Sequence, residues 1–460
     1  MQLFHQTCQR LRDASLGRPI WLGLVQWYSS TIQPRPFIPE KPLELYTDRE
    51  LEYLVLRWQS GKAGYLLKPK RRDFSISDRS LQGSHLLEGG RWLIFAALDG
   101  SVKYYDLHSQ SESLDPVTLL PTHFNIDSVT INLLAVDLDP DAEYLTFNLA
   151  SVTSLVNVKR GTNPPQEARW IEVNRVTPYW DENGNVKGLR ADRLACFREE
   201  HSCFCDSFTL RGRCVAYSLQ TFRPLPTFRD GETIVIVDWT SADPTSLIYP
   251  RRLIWRNRVK VSNWDSLATK LLGLMNPEWM ALLPDDRLIC HDLFDVKLFD
   301  LNDAVVRTAN PIQDNQPPGQ LPIASFRWFA RKFSRPYIVD GTVRFSVVIH
   351  DSVKGLIIPC SRSATNIVDS VDLVSDTTFD PDSVVTYDRV VGTFNELRGL
   401  AVARYTWPDD LSSSLGIQKT DLPFSSHVLF DSSSGRIVVG KVSDYLTTFD
   451  FTAVESCSYL

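Results

Sequence analysis

The sequence predicts a mainly β protein: a β-propeller of about seven blades, six to eight by strand spacing, preceded by a short α-helical segment. Three observations predict it. Gly90 to Leu107 reads as two apolar, β-branched and aromatic strands joined at Asp99-Gly100, a dipeptide suited to a type I′ turn because both central positions favour positive φ. The pair returns in looser copies. Arg213–Tyr217 leads to Thr233–Trp239, Arg287–Cys290 to Val296–Leu301, and Gly435–Gly440 to Tyr445–Phe451. Each copy ends on an apolar or aromatic residue, then Asp, then Leu, Trp or Phe. Finally, residues 80 to 455 keep giving short strands bounded by Gly, Pro, Asp, Asn and Ser, and a strand pair that keeps returning is how blades unable to bury their own faces are written. An array of β-sandwiches is the alternative, but it needs a linker near the middle, and none stands out.

Composition agrees with a globular chain. The 460 residues are 43% hydrophobic and 11% aromatic, with a formal charge of −6 that argues weakly against a general polyanion binder. No apolar run approaches the roughly 18 residues of a membrane-spanning helix. The start lacks a signal-peptide layout, Asn-x-Ser/Thr is absent, and the eight cysteines are mostly scattered. The expectation is an intracellular protein, cytoplasmic or nuclear, with no membrane partner.

Residues 3 to 28 carry a helical pattern: Leu3, Phe4, Thr7, Cys8 and Leu11 on one face, then Leu16, Ile20, Trp21, Leu24 and Val25, with Pro19 suited to a first turn. These residues form either a cap packed on the propeller or a docking element. The run Leu3 to Arg12 followed by Ile20-Trp21-Leu22 resembles the second half of an F-box, whose apolar helix ends in Cys-Arg-Arg-(Leu/Trp) and is followed about ten residues later by Leu-Trp. Residues 1–30 are therefore identified as partial F-box-like helices. The resemblance implies docking onto the adaptor subunit of an SCF-type cullin-RING ubiquitin ligase, with Leu3, Cys8, Leu11, Ile20, Trp21 and Leu24 as adaptor-facing or motif-core residues. It departs from the family where the Leu-Pro-x-Glu opening belongs, since Met1 falls inside the motif; this implies a displaced start or a lost part of the adaptor surface. A half F-box, a linker and a divergent WD40-like propeller are similar to the F-box/propeller-like proteins of mushroom-forming fungi. The implied function is a non-catalytic substrate-recognition adaptor, its propeller binding a protein substrate of unknown identity. A scaffold without a ubiquitin link and a propeller hydrolase or lyase are the alternatives.

Residues 31–79 read as a linker. Gln33 to Pro42 holds four prolines and should be extended. Thr47 and Glu50 form a capping box that opens a helix over about 47–59 with Leu51, Leu54, Val55 and Trp58 on its stripe. Lys68 to Arg72 is a basic run, read as an exposed loop or a nuclear localisation signal. Residues 80–455 form the propeller, with one fair helix, Ser262–Met275, in an inter-blade loop.

Candidate chemistry is sparse. Gly435 to Lys441 reaches Gly-x4-Gly-Lys, but Val442 follows where Ser or Thr must hold magnesium, and the segment reads as a strand. Cys196, His201, Cys203, Cys205 and Cys214 hold no Cys-x2-Cys knuckle, so no metal is expected. Asp137 to Glu143 lacks the Gly and Glu of a calcium loop and reads as an acidic turn. Arg251, Arg252, Arg256, Arg258 and Lys260 interleave with Ile254 and Trp255 and suit an acidic peptide, nucleic acid or a solvated strand face, with nucleic acid disfavoured. No catalytic motif appears and no cofactor is expected.

Overall fold

A computed structural model describes residues 17–35, 38–63, 70–76, 83–122, 129–156, 169–199, 203–204, 207–221, 231–242, 249–257, 279–291, 295–308, 320–328, 330–361, 368–375, 377–379, 383–392, 400–409, 416–422, 427–440 and 445–450. They form helices α1 (Arg18–Thr31) and α2 (Asp48–Ala63) and seven sheets, antiparallel throughout except where Lys70–Ile76 pairs parallel with Ser113–Leu114 at one sheet edge. Blade 1 opens at His85–Leu86, blade 2 at Val129–Leu138, blade 3 at Cys203–Phe204 with Phe208–Arg211, and blade 4 at Trp279–Leu283. Blade 5 opens at Lys332–Phe333 with Tyr337–Val339, blade 6 at Val384–Val385 and blade 7 at His427–Asp431. The predicted helix Ser262–Met275 lies outside the described residues.

The ring closes through its own termini. Blade 7 takes its fourth strand, Lys70–Ile76, from the N-terminal side of blade 1, paired in register from Lys70 opposite Asp450 to Ser75 opposite Tyr445. The basic run is thus in part a sheet strand rather than a loop, and the propeller begins inside the stretch read as linker. Closure leaves no blade without a neighbour, which is how a ring of sheets hides the faces each blade cannot bury alone.

Seven apolar clusters, one at each blade junction, fill the ring. Trp92, Ile94 and Ala96 of blade 1 pack toward blade 2, while Leu93, Phe95 and Ala97 pack toward blade 7. All six are buried. A blade strand covered on both faces reads as a continuous apolar run rather than as an alternation. The larger ones, Leu93, Ile94 and Phe95, each contribute roughly 1.5–3 kcal/mol relative to exposure.

In three of the repeats the closing Asp has a local job. Asp106, Asp238 and Asp300 end the third strands of blades 1, 3 and 4 and accept from His108, Thr240 and Asn302 N–H at 2.9, 3.0 and 2.8 Å. These are Asx turns. The apolar residue that follows donates back to the start of the second strand: Leu107 to Arg91 O at 2.8 Å, Trp239 to Arg213 O at 3.0 Å and Leu301 to Asp286 O at 2.8 Å.

The Asp99-Gly100 turn differs from expectation. Only Gly100 has positive φ, at 82°. Gly100 N–H donates to Ala97 O at 3.0 Å and Ala97 N–H to Ser101 O at 2.9 Å, a longer loop with a glycine bulge. Two adjacent positive φ values occur instead at Asp340-Gly341 (47° and 70°), between the paired Val339 and Thr342.

Candidate interaction surface

Strand direction places the turns between first and second strands, and those between third and fourth, on one face of the ring. The N-terminal segment lies across that face. Gln33 Oε1 accepts from Asp340 N–H of blade 5 at 2.7 Å. Arg35 donates to Pro140 O of blade 2 at 2.9 Å, and Leu145 N–H of the same turn donates to Pro39 O at 2.6 Å. Ile38 is buried among Leu87, Trp92 and Leu145. Glu40 accepts from Arg91 of blade 1 at 2.7 Å, and Lys41 donates to Gly184 O of blade 2 and to Glu50 of α2, both at 2.8 Å. A proline-rich chain gives up little further freedom when it docks, because its φ angles are already restricted. Glu88 of blade 1 pairs with Arg335 of blade 5. Burial pushes the Glu88 carboxyl up, against the pull of Arg335.

The helices form a second layer. The capping box opens α2 as its sequence predicts: Thr47 N–H donates to Glu50 Oε2 at 2.7 Å and Glu50 N–H to Thr47 Oγ1 at 3.3 Å. Pro19 sits in the first turn of α1, where its missing N–H has no partner to lose. Val25, Tyr46, Leu51, Val55 and Trp58 are the buried centre of a separate apolar cluster, flanked by Trp21, Leu22, Leu24 and Tyr28. Burial raises the Tyr46 hydroxyl well above its ordinary range, and Tyr46 accepts from Glu40 N–H at 2.7 Å.

The residues singled out in the sequence divide. Leu3, Cys8 and Leu11 lie outside the described residues. Trp21 and Leu24 turn toward α2 and the linker, within the helical cluster rather than any inter-blade cluster. Ile20 points outward, 45% exposed, and Trp27, seven residues on, is 54% exposed. With Pro19 and Gly23, also exposed, they make an apolar stripe on the outer face of α1. Sequence reasoning missed Trp27; its i+7 spacing from Ile20 was the available signal.

Other candidate groups have structural partners. Arg251 is buried against Glu199 at 2.8 Å, with Tyr217 and Tyr249 donating to the same carboxylate oxygen at 2.5 and 2.6 Å. Arg252 faces Asp286 at 3.6 Å. Arg251 therefore does not belong to a solvated basic face; the side chains of Arg256, Arg258 and Lys260 lie outside the described residues. Asp139 pairs with Arg175 and accepts from Asp141 N–H at 3.1 Å, an acidic turn held by its own hydrogen bonds. Cys196 and Cys214 lie on strands of blades 2 and 3, and burial pushes both thiols up. Arg436, of the Gly-x4-Gly-Lys run, is a strand residue paired with Asp450 at 2.5 Å. No helix among the described residues is long and apolar enough to cross a membrane.

No protein-family model matches the chain, and no curated protein matches it in sequence. Among solved structures it is similar to a chain of the mitotic checkpoint complex, at 10% identity over 83% of this chain and 91% of that one, with a TM-score of 0.38. It is also similar to the WD40 domain of SCAP from fission yeast, at 11% identity over 82% of each chain, with a TM-score of 0.36. The apocarotenoid oxygenase of Synechocystis is similar at 11% identity over 72% and 71%, with a TM-score of 0.35. These are likenesses of fold alone, and the fold is given by seven sheets and seven inter-blade cores: the described residues form a seven-bladed β-propeller with two helices laid over one face.

Proposed function

We propose that the protein is a non-catalytic interaction scaffold that holds one partner on α1 and a second on its propeller, and that the α1 partner is the adaptor subunit of an SCF-type cullin-RING ligase. The observation that carries this is the outward stripe of Ile20 and Trp27 on a helix whose other face is spent on α2. Bonds from Gln33, Arg35, Pro39, Glu40 and Lys41 tie that pair to the ring. A bridging subunit needs this coupling, because ubiquitin transfer depends on a fixed separation between the ligase arm and the substrate. The F-box resemblance of residues 1–30 names the α1 partner, and burial of the stripe at about 25 cal/mol per Å² would supply affinity. A propeller scaffold with no ubiquitin link is the second reading, favoured by Trp21 lying within the chain's own helical cluster.

The test is co-purification of the cullin-linked adaptor with the wild-type chain and with an Ile20→Glu/Trp27→Glu double variant. Capture by the wild type and loss in the variant is expected. No capture by the wild type would remove the ligase assignment.

A further inference from the structure

The contact between α2 and the propeller is polar. The apolar face of α2 is occupied by α1 and the linker, and what α2 presents to the ring is Arg57, 7% exposed, whose Nη1 lies 3.0 Å from Nε2 of His108 in blade 1. Arginine can only donate, so the imidazole accepts at Nε2 and is neutral, its proton on Nδ1. Every element around it brings a cation: Arg57 from α2, Arg72 from the ring-closing strand, Arg91 from blade 1 and Arg436 from blade 7. The carboxylates nearby are engaged. Asp106 and Glu40 are held by Arg91, and Asp450 by Arg436. Arg72 donates to Leu107 O at 3.4 Å and to Ser109 O, on either side of His108.

We propose that His108 is a pH-sensitive latch: when protonated it loses the lone pair that accepts from Arg57 and becomes another cation among four arginines, so that α2 and the attached linker leave the propeller face. The linker is bonded to turns of blades 1, 2 and 5, so release would uncover that turn face for a partner. Burial, then the charges of Arg57, Arg436, Arg91 and Arg72, lower the imidazole's proton affinity in the docked state. The sign follows. A base depressed on docking leaves docking at full strength above its ordinary range near 6.5, and docking weakens as pH falls below that, by up to about tenfold per pH unit.

The experiment is segment-resolved amide exchange of the full chain between pH 7.5 and 5.0, corrected for intrinsic rates, on wild type and His108→Gln, whose amide oxygen can still accept from Arg57 without titrating. Protection across Asp48–Ala63 should fall below about pH 6.5 in the wild type, by up to about tenfold per unit, and stay flat in the variant. Trp92–Ala96 in blade 1 should keep its protection in both. A pH-independent wild type, a variant that follows the wild-type profile, or simultaneous loss in Trp92–Ala96 would each overturn the latch.

Discussion

Arg91 of blade 1 donates to Glu40 of the linker at 2.7 Å while its other nitrogens grip Asp106 at 3.0 and 2.8 Å. One guanidinium therefore closes a hairpin of the ring and fastens the N-terminal segment to it. Arg91→Met should lower unfolding stability by about 3 kcal/mol, since it strands two partly buried carboxylates. Glu40→Gln, which keeps an acceptor, should cost about 1 kcal/mol. Urea unfolding of both variants checks the order; no loss in Glu40→Gln would mean that Arg91 acts only within its blade, and equal losses that it acts only through the linker.

Blades 7 and 1 meet at Gly90, whose φ is +64° and whose carbonyl accepts from Arg436 at 2.6 Å. A Cβ there would run into Ser434 Oγ and come within 3.2 Å of Arg436 Cβ, whereas at Gly89 it would meet nothing within 4 Å. Gly90→Ala should cost more than about 2 kcal/mol and Gly89→Ala about 1 kcal/mol, the backbone penalty alone. Thermal melts of the two variants test the difference.

Asp450 and Arg436 are a buried fork, with bonds of 2.5 and 2.8 Å and side chains 14% and 4% exposed. Burial alone would raise the Asp450 carboxyl, but Arg436, with Arg57 and Arg72 behind it, brings it below the usual range. A depressed carboxylate gives stability that is complete above its unfolded value near 3.9 and lost as pH falls through the folded one. Asp450→Asn should therefore be less stable at neutral pH, and the gap should narrow below about pH 4. Denaturation midpoints at pH 7 and pH 3 measure it.

Trp27 has its ring mostly in solvent, so Trp27→Glu alone should change stability by less than about 0.5 kcal/mol. Val25→Asp, in the centre of the helical cluster, should instead unfold the α1–α2 pair. Circular dichroism with near-ultraviolet tryptophan signals separates the two outcomes.

The ring was legible because its strands are buried on both faces: runs such as Trp92–Ala97 and Ile234–Val237 announce themselves without periodicity. The closing Asp and its apolar successor were legible as a repeat, although the Asx turn behind them is visible only in the structure. Thr47 and Glu50 were legible because a capping box is local. Lys70–Ile76 was not, since its partner strand lies some 375 residues further along the chain and its solvent-side residues are charged. The docked linker was equally hidden: prolines state extension, but the hydrogen bonds of Gln33, Pro39 and Lys41 go to turns of distant blades. Arg251 misled because a cation in a strand looks the same in sequence whether it meets water or Glu199.

The docking of the N-terminal segment on the ring is tested most directly at Leu145, whose N–H donates to Pro39 O at 2.6 Å. Residue-resolved amide exchange at pH 7.5 should show this turn amide slowed by at least about a hundredfold, as for a hydrogen bond opened only when the segment lifts away. Exchange of Leu145 at the rate of an unprotected amide would contradict a segment held on that face, and with it the rigid link between α1 and the propeller.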